Sequence, residues 1–137
     1  MASAKVFFDT NVLLYLLSAD AVKANIAESI VAKRGVISAQ VLNEVASVAR
    51  RKMGMTFPEI RALLSPIHRI CEVAPVTLDT HIHGMGIAER YGYNVWDALI
   101  VASAVLADCE ILYTEDLQHG QVLERRLQII NPFATDG

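Results

Sequence analysis

Short apolar runs that end abruptly in polar residues alternate along this chain with longer stretches of helical periodicity. The run Lys5-Val6-Phe7-Phe8 stops at Asp9-Thr10-Asn11 and is followed at once by Val12-Leu13-Leu14-Tyr15-Leu16-Leu17. An apolar segment this short, closed by an acid and a cap-type residue, reads as a buried strand leading into a helix. After a break at Ser18-Ala19-Asp20, a second helical pattern runs from about Ala21 to Lys33. It closes on Lys33-Arg34-Gly35, a basic last turn with a glycine stop. Val36-Ile37-Ser38 reads as a strand, with Ser38 capping a helix from Ala39 to about Met53. Thr56-Phe57-Pro58-Glu59 has the T-x-x-E form of a capping box and opens a helix to about Arg69.

Glu72 to Val76 reads as a short strand that Pro75 confines to an edge or an end. Thr77 then caps a helix to about Tyr91. Asn94-Val95-Trp96-Asp97 opens a helix that is apolar nearly all round to Ala107, and so should be buried. Ile111-Leu112-Tyr113 is a strand ended by Thr114-Glu115-Asp116. A polar loop precedes a last strand at Leu127 to Ile130, closed by Pro132. Strands alternating with helices predict parallel βαβ units, giving three α/β/α layers around a central parallel sheet of four to five short strands. With no internal repeat, linker or low-complexity stretch, residues 1–137 are expected to form one domain, long enough to bury a proper core.

Composition adds a second expectation. Hydrophobic residues make up 53% of the chain and mean hydropathy is +0.36, high for a soluble protein of this size. The longest apolar run, Ala98 to Ala107, falls short of the roughly 20 residues a bilayer crossing needs. Met1-Ala2-Ser3-Ala4-Lys5 contains no signal-peptide core. The expectation is a cytoplasmic protein, off the membrane, whose apolar surplus lies in a subunit or partner interface. Cys71 and Cys109 give neither a disulfide framework nor a metal-ligand spacing, and read as small core hydrophobes. Net charge is −3, from 12 basic and 15 acidic residues, which argues weakly against nucleic-acid binding. That objection softens if four acids are metal ligands, since 11 acids then stand against 12 bases.

Four carboxylates stand out. Asp9 and Asp116 follow strands, Asp97 begins the buried helix, and Glu44 lies in the helix after the second strand. Singly, Asp9 and Asp97 read as helix caps and Asp116 as a turn residue. Glu44 has no such excuse, being mid-helix at the edge of an apolar face, where its plain alternative is pairing with Arg51. In a parallel sheet all four lie at the carboxyl-end side, where open α/β sheets bind ligands. Four like charges in one pocket would raise each other's pKa unless a cation relieved them. An all-oxygen donor set suits Mg²⁺ or Mn²⁺.

The motifs Phe8-Asp9-Thr10-Asn11, Val41-Leu42-Asn43-Glu44, Trp96-Asp97-Ala98-Leu99-Ile100-Val101-Ala102-Ser103-Ala104 and Leu112-Tyr113-Thr114-Glu115-Asp116-Leu117-Gln118-His119-Gly120 resemble the PIN-domain signatures, especially those of VapC-type toxins. The likeness runs from about Val6 to Phe133, with every acidic motif in the family's order. It implies a PIN-like fold and a metal-dependent ribonuclease. Asp9 and Asp97 match the principal metal ligands, and Glu44 and Asp116 match the acids completing the pocket. Thr114 supplies the hydroxyl of the T-x-D motif, with Asn11 as a further polar neighbour. The likeness also implies an RNA substrate and a cognate antitoxin; the apolar surplus motivates a homodimer and a groove for an antitoxin segment.

Other residues carry weaker signals. His81 and His83, two apart, do not share a helix face and read as solvent-exposed. His119 lies close enough in sequence to Asp116 to approach a phosphate. Gly84-x-Gly86 follows no strand and has no phosphate-loop context. Trp96 reads as a core or interface residue, with stacking on a base as the alternative. Arg50, Arg51 and Lys52 either reach flanking phosphates or serve a solvated helix C-terminus. Two functional alternatives stay open. One is a PIN-like module that binds RNA or protein without cutting. The other is a hydrolase of small phosphate esters, weakened by Asn11 standing where a second Asp would be needed.

Overall fold

The computed structural model describes residues 4–134. Its first strand, β1 (Val6–Phe8), is buried on both faces, as an unbroken apolar run requires. The chain then forms α1 (Thr10–Leu14) and a 3₁₀ turn at Tyr15–Leu17, followed by α2 (Ala21–Val31), β2 (Val36–Ser38), α3 (Ala39–Met53) and α4 (Phe57–Ile70). Next come β3 (Glu72–Ala74), α5 (Leu78–Tyr91), α6 (Val95–Leu106), β4 (Ile111–Tyr113), β5 (Val122–Leu123) and β6 (Leu127–Ile130). Helices flank the sheet, in the predicted three-layer α/β/α arrangement. No helix among the described residues is long and apolar enough to cross a membrane.

The sheet has six strands in the order β3-β2-β1-β4-β6-β5, against the expected four to five. Five run parallel, and β5 pairs antiparallel with β6 through Val122–Gln128 and Leu123–Leu127. The extra strand is only two residues long, too short to show a period of its own inside a polar loop. Pro75 does mark an edge, because β3 is the outermost strand on its side.

From β1 the chain steps outward through β2 to β3, then crosses to β4 on the other side of β1. The carboxyl ends of β1 and β4 therefore flank a topological switch point, the place where open α/β sheets form a crevice. Their register is direct, Phe8 opposite Tyr113, and the Asp9 amide donates to the Tyr113 carbonyl at 3.0 Å. Phe7, Phe8, Ile37, Leu112 and Ile129 are all fully buried and make this part of the frame rigid.

Two glycines serve helix and strand packing. Gly35 is not the helix stop its position suggested. α2 ends at Val31, and Arg34 takes the left-handed conformation with φ 57°. A Cβ on Gly35 would stand 2.5 Å from the Val6 carbonyl oxygen, so this residue lets the chain enter β2 beside β1. Gly84 lies in α5, where a Cβ would stand 2.7 Å from Leu99 of α6; it permits close helix packing and has no phosphate-loop role.

Candidate active site

Each acid is held by a local device that the sequence encodes. Asp9 follows β1 directly and caps α1, its Oδ1 accepting from the Thr10 amide at 2.7 Å. Its Oδ2 accepts from the Thr114 hydroxyl at 2.8 Å. Thr114 is fully buried and comes straight after β4. Asp97 is the third residue of α6, with Asn94 as the cap. Asn94 Oδ1 accepts from the Asp97 amide, and its Nδ2 donates back to Asp97 Oδ2, both at 2.9 Å. The capping reading of both residues is therefore correct, and each still presents a carboxylate to the cavity between them.

Glu44 is half-buried on α3. Its Oε1 accepts from Gln40 Nε2 at 2.6 Å, and its Oε2 from the Thr10 hydroxyl at 3.2 Å. Arg51, the partner considered from sequence, instead donates to the Ser47 hydroxyl at 3.1 Å. Asp116 is exposed in the turn after β4, its amide donating to Thr114 Oγ1 at 3.1 Å. Asn11 ties the two sides together. Its Nδ2 donates to Asp116 Oδ2 at 3.0 Å and to Thr114 Oγ1 at 3.2 Å, while its Oδ1 accepts from the Glu115 amide.

Asp9, Glu44, Asp97 and Asp116 all line one cavity of about 140 Å³, with Thr10, Asn11, Leu14, Trp96 and Ile100 completing its wall. No basic side chain is among them. Burial, opposed by the bonds from Thr114 and Thr10, pushes the Asp9 carboxyl up to about 7, and the charges of Asp116 and Glu44 add to the rise. Asp97 is raised too, first by burial, then by the charge of Asp116 and, more weakly, Glu44. An anionic, all-oxygen pocket of this kind fits a hard divalent cation. Yet no three His, Cys, Asp or Glu side chains among the described residues stand close enough to close around an ion. The expected convergence within a few ångströms is thus a shared cavity wall rather than a ready-made cage.

The other candidates separate cleanly. His81 and His83 are exposed on α5, and His83 faces Asp79 one turn back. His119 Nδ1 accepts from the Asn131 amide at 2.9 Å, bonding back to the chain after β6. Trp96 is no core residue, being 66% exposed at the rim. Arg50 donates to the Met55 carbonyl and lies over the Phe57 ring, whereas Arg51 faces a groove beside the cavity. Cys71 and Cys109 are buried free thiols, as expected. Sequence reasoning missed Gln40 and Thr10. Gln40 lies four residues before Glu44, a spacing that puts both on one helix face and was available as a signal.

The PIN domain, as a family profile, matches residues 6–123. No curated protein sequence matches the chain. Among solved structures, a toxin–antitoxin complex from Klebsiella pneumoniae is similar with a TM-score of 0.73 at 19% identity, covering 96% of this chain and 100% of that one. VapC20 of Mycobacterium tuberculosis, a sarcin–ricin-loop-cleaving toxin, gives 0.67 at 21% identity, with coverage of 82% and 90%. DNA-bound VapBC from Salmonella typhimurium gives 0.67 at 18%, with coverage of 93% and 98%. At such identities the likeness is one of fold.

Proposed function

The chain belongs to the PIN-domain family, and on that premise we propose that it is a Mg²⁺- or Mn²⁺-dependent endoribonuclease, the VapC-type toxin of a toxin–antitoxin pair. The observation that carries this reading is the common cavity of Asp9, Glu44, Asp97 and Asp116, which has no basic neighbour. Similarity in fold to toxin–antitoxin complexes and to a sarcin–ricin-loop-cleaving toxin supports it.

In this reading Asp9 and Asp97 hold the ion, Glu44 and Asp116 complete the pocket, and Thr114 and Asn11 orient them. Bound there, a divalent cation would neutralise charge on the phosphate and activate the attacking water. The chain's own part is positioning. Thr114 and the Thr10 amide fix both oxygens of Asp9, and Gln40 and the Thr10 hydroxyl fix both oxygens of Glu44. Asp9, whose burial raises its carboxyl to about 7, would be partly protonated at neutral pH without the ion, and would release that proton on holding one.

The cellular part of the proposal is a cytoplasmic, one-domain protein that pairs with a second copy and is restrained by a small antitoxin. Exposed apolar residues such as Phe57 (59%), Leu78 (73%) and Ile82 (58%) support faces covered by partners. Purified chain stripped of metal should leave single-stranded RNA whole and cut it when Mg²⁺ or Mn²⁺ returns. Asp9→Asn and Asp97→Asn should abolish cleavage and growth inhibition; retained metal-dependent cleavage in either would overturn the site assignment. A monomeric mass at micromolar concentration would overturn the dimer. A non-cleaving RNA- or protein-binding module is the second reading, favoured by the open arrangement of the acids, which form no closed ligand cluster among the described residues. Binding of Mn²⁺ with structured and unstructured RNA both left whole would select it.

A further inference from the structure

Glu44 shares its face of α3 with Gln40, Ser47 and Arg51, at the three- and four-residue steps that align side chains along a helix. Together with Asn43 these residues form one wall of a groove of about 880 Å³, which also takes in Val76, Leu99 and Trp96. Glu44 and Trp96 line both this groove and the acid cavity, so the two adjoin across these side chains. Trp96 is the chain's only tryptophan. It is 66% exposed, although a side chain of this size gains much from burial. Its backbone is nonetheless fixed, because Gln40 Nε2 donates to its carbonyl at 3.2 Å and the Asn94 cap holds the next residue. The indole is therefore displayed on a rigid base.

We propose that this groove seats an unpaired nucleotide adjacent to the scissile phosphate, with its base stacked on Trp96 and a flanking phosphate met by Arg51. The inference rests on the ribonuclease reading of the acid cavity. The two kinds of wall favour this occupant. A nucleobase has a π-face for Trp96 and the apolar side chains, and a hydrogen-bonding edge for amides such as Asn43. An amphipathic peptide helix would match the apolar wall of Val76, Leu99 and Trp96 but would leave the Gln40, Asn43, Glu44, Ser47 and Arg51 side chains of α3 facing it without polar partners. Arg51 lies seven residues past Glu44 along α3, about 10 Å by helical rise. Its Nε bond to Ser47 holds it along the helix, while Arg50 is occupied elsewhere. A base inside a duplex cannot reach such a platform without leaving its stack.

Because Trp96 is the sole tryptophan, its fluorescence reports the contact directly. The probes are a slowly cleaved, phosphorothioate-linked hexaadenylate and the matching abasic backbone, titrated into the intact chain with Mg²⁺. The hexaadenylate should quench strongly and the abasic strand weakly. Trp96→Ala should raise KM for single-stranded RNA by about 5- to 100-fold, as loss of one stacked base predicts, with kcat within about twofold. Trp96→Phe should restore most of the affinity, separating stacking from folding. Equal quenching by both strands, or a KM that Trp96→Ala leaves in place, would overturn the proposal. So would a change in solution mass or in the hold on a partner protein without a change in KM, which would make the groove a protein interface. If quenching depends on bases but wild-type chain cuts no RNA, the cleavage reading fails while the platform stands. If cleavage requires Asp9 but ignores Trp96, the platform alone fails.

Discussion

The Thr114 hydroxyl donates to Asp9 Oδ2 across 2.8 Å, joining two buried residues 105 positions apart at the carboxyl ends of neighbouring strands. This bond favours the ionised form of Asp9 and offsets part of the rise that burial imposes. Thr114→Val should therefore push the Asp9 carboxyl higher still. We expect cleavage at pH 7 to fall by about tenfold or more, the equivalent of one charge-assisted hydrogen bond, and to recover partly at pH 8.5. Thr114→Ser should behave like the parent. An acid limb that stays in place in the valine variant would show that the hydroxyl does not tune Asp9.

Asp9 should make the metal-free protein less stable as pH rises. The folded chain binds this proton with a pKa of about 7, against an ordinary value of 3.8. The protonated form is thus favoured by folding. That contribution is full below about pH 4 and is lost as pH climbs through about 7. In chelator, Asp9→Asn should raise Tm by about 5–10 °C at pH 8 and change it little at pH 4. Addition of Mg²⁺ at pH 8 should stabilise the parent and not the variant. A variant no more stable than the parent at pH 8 would contradict the burial argument.

Gln40 holds Glu44 and the Trp96 carbonyl at once, linking α3 to the first turn of α6. Gln40→Leu keeps the volume and leaves a half-buried carboxylate oxygen without its donor. The expected result is a drop in kcat/KM of about tenfold, the scale of one hydrogen bond to a charged group. Steady-state kinetics on a short RNA, beside a urea melt to separate activity from folding, would check it. An unchanged kcat/KM would reduce Gln40 to a packing residue.

Gly35 and Gly54 should respond differently to alanine. At Gly35 the added Cβ would meet the Val6 carbonyl oxygen at 2.5 Å and Val6 Cγ2 at 2.6 Å, and β1 cannot move without shifting Asp9. We expect a loss of about 2–3 kcal/mol and reduced activity. Gly54 has φ 63° with nothing within 4 Å of a Cβ, so alanine there should cost about 1 kcal/mol and spare the site. Urea unfolding of the two variants would test the contrast.

Much of the fold was legible because local signals agreed with the tertiary answer. The Thr56–Glu59 capping box, the Ser38 and Asn94 caps and the unbroken apolar runs of β1 and α6 each mark an element that the structure contains. What stayed hidden depends on contacts distant in sequence. β5 exists only through its pairing with β6. Gly35 looked like a helix stop because its true constraint, the Val6 carbonyl, lies on another strand. At the site, the residue types and order of the four acids were readable, and so was their shared side of the sheet. Their hydrogen-bond partners were readable only where they lie close in sequence, as Asn94 does to Asp97 and Gln40 to Glu44. Thr10 meets Glu44 across 34 positions, and no spacing rule reaches that far. Trp96 reads from sequence as a core or interface residue; the core half of that reading fails, because the first turn of α6 leaves the indole 66% exposed at the rim.

The strand order also sets when the chain can act. β1 leaves the ribosome well before its neighbour at the switch point, β4, which is made about a hundred residues later. At synthesis rates of about 5–20 residues per second, Asp9 waits roughly 5–20 s for Thr114 and Asp116. Until then the half-made chain carries acids but no cavity. On the toxin reading proposed above, the chain is harmless while being written, an interval open to a partner already present in the cell.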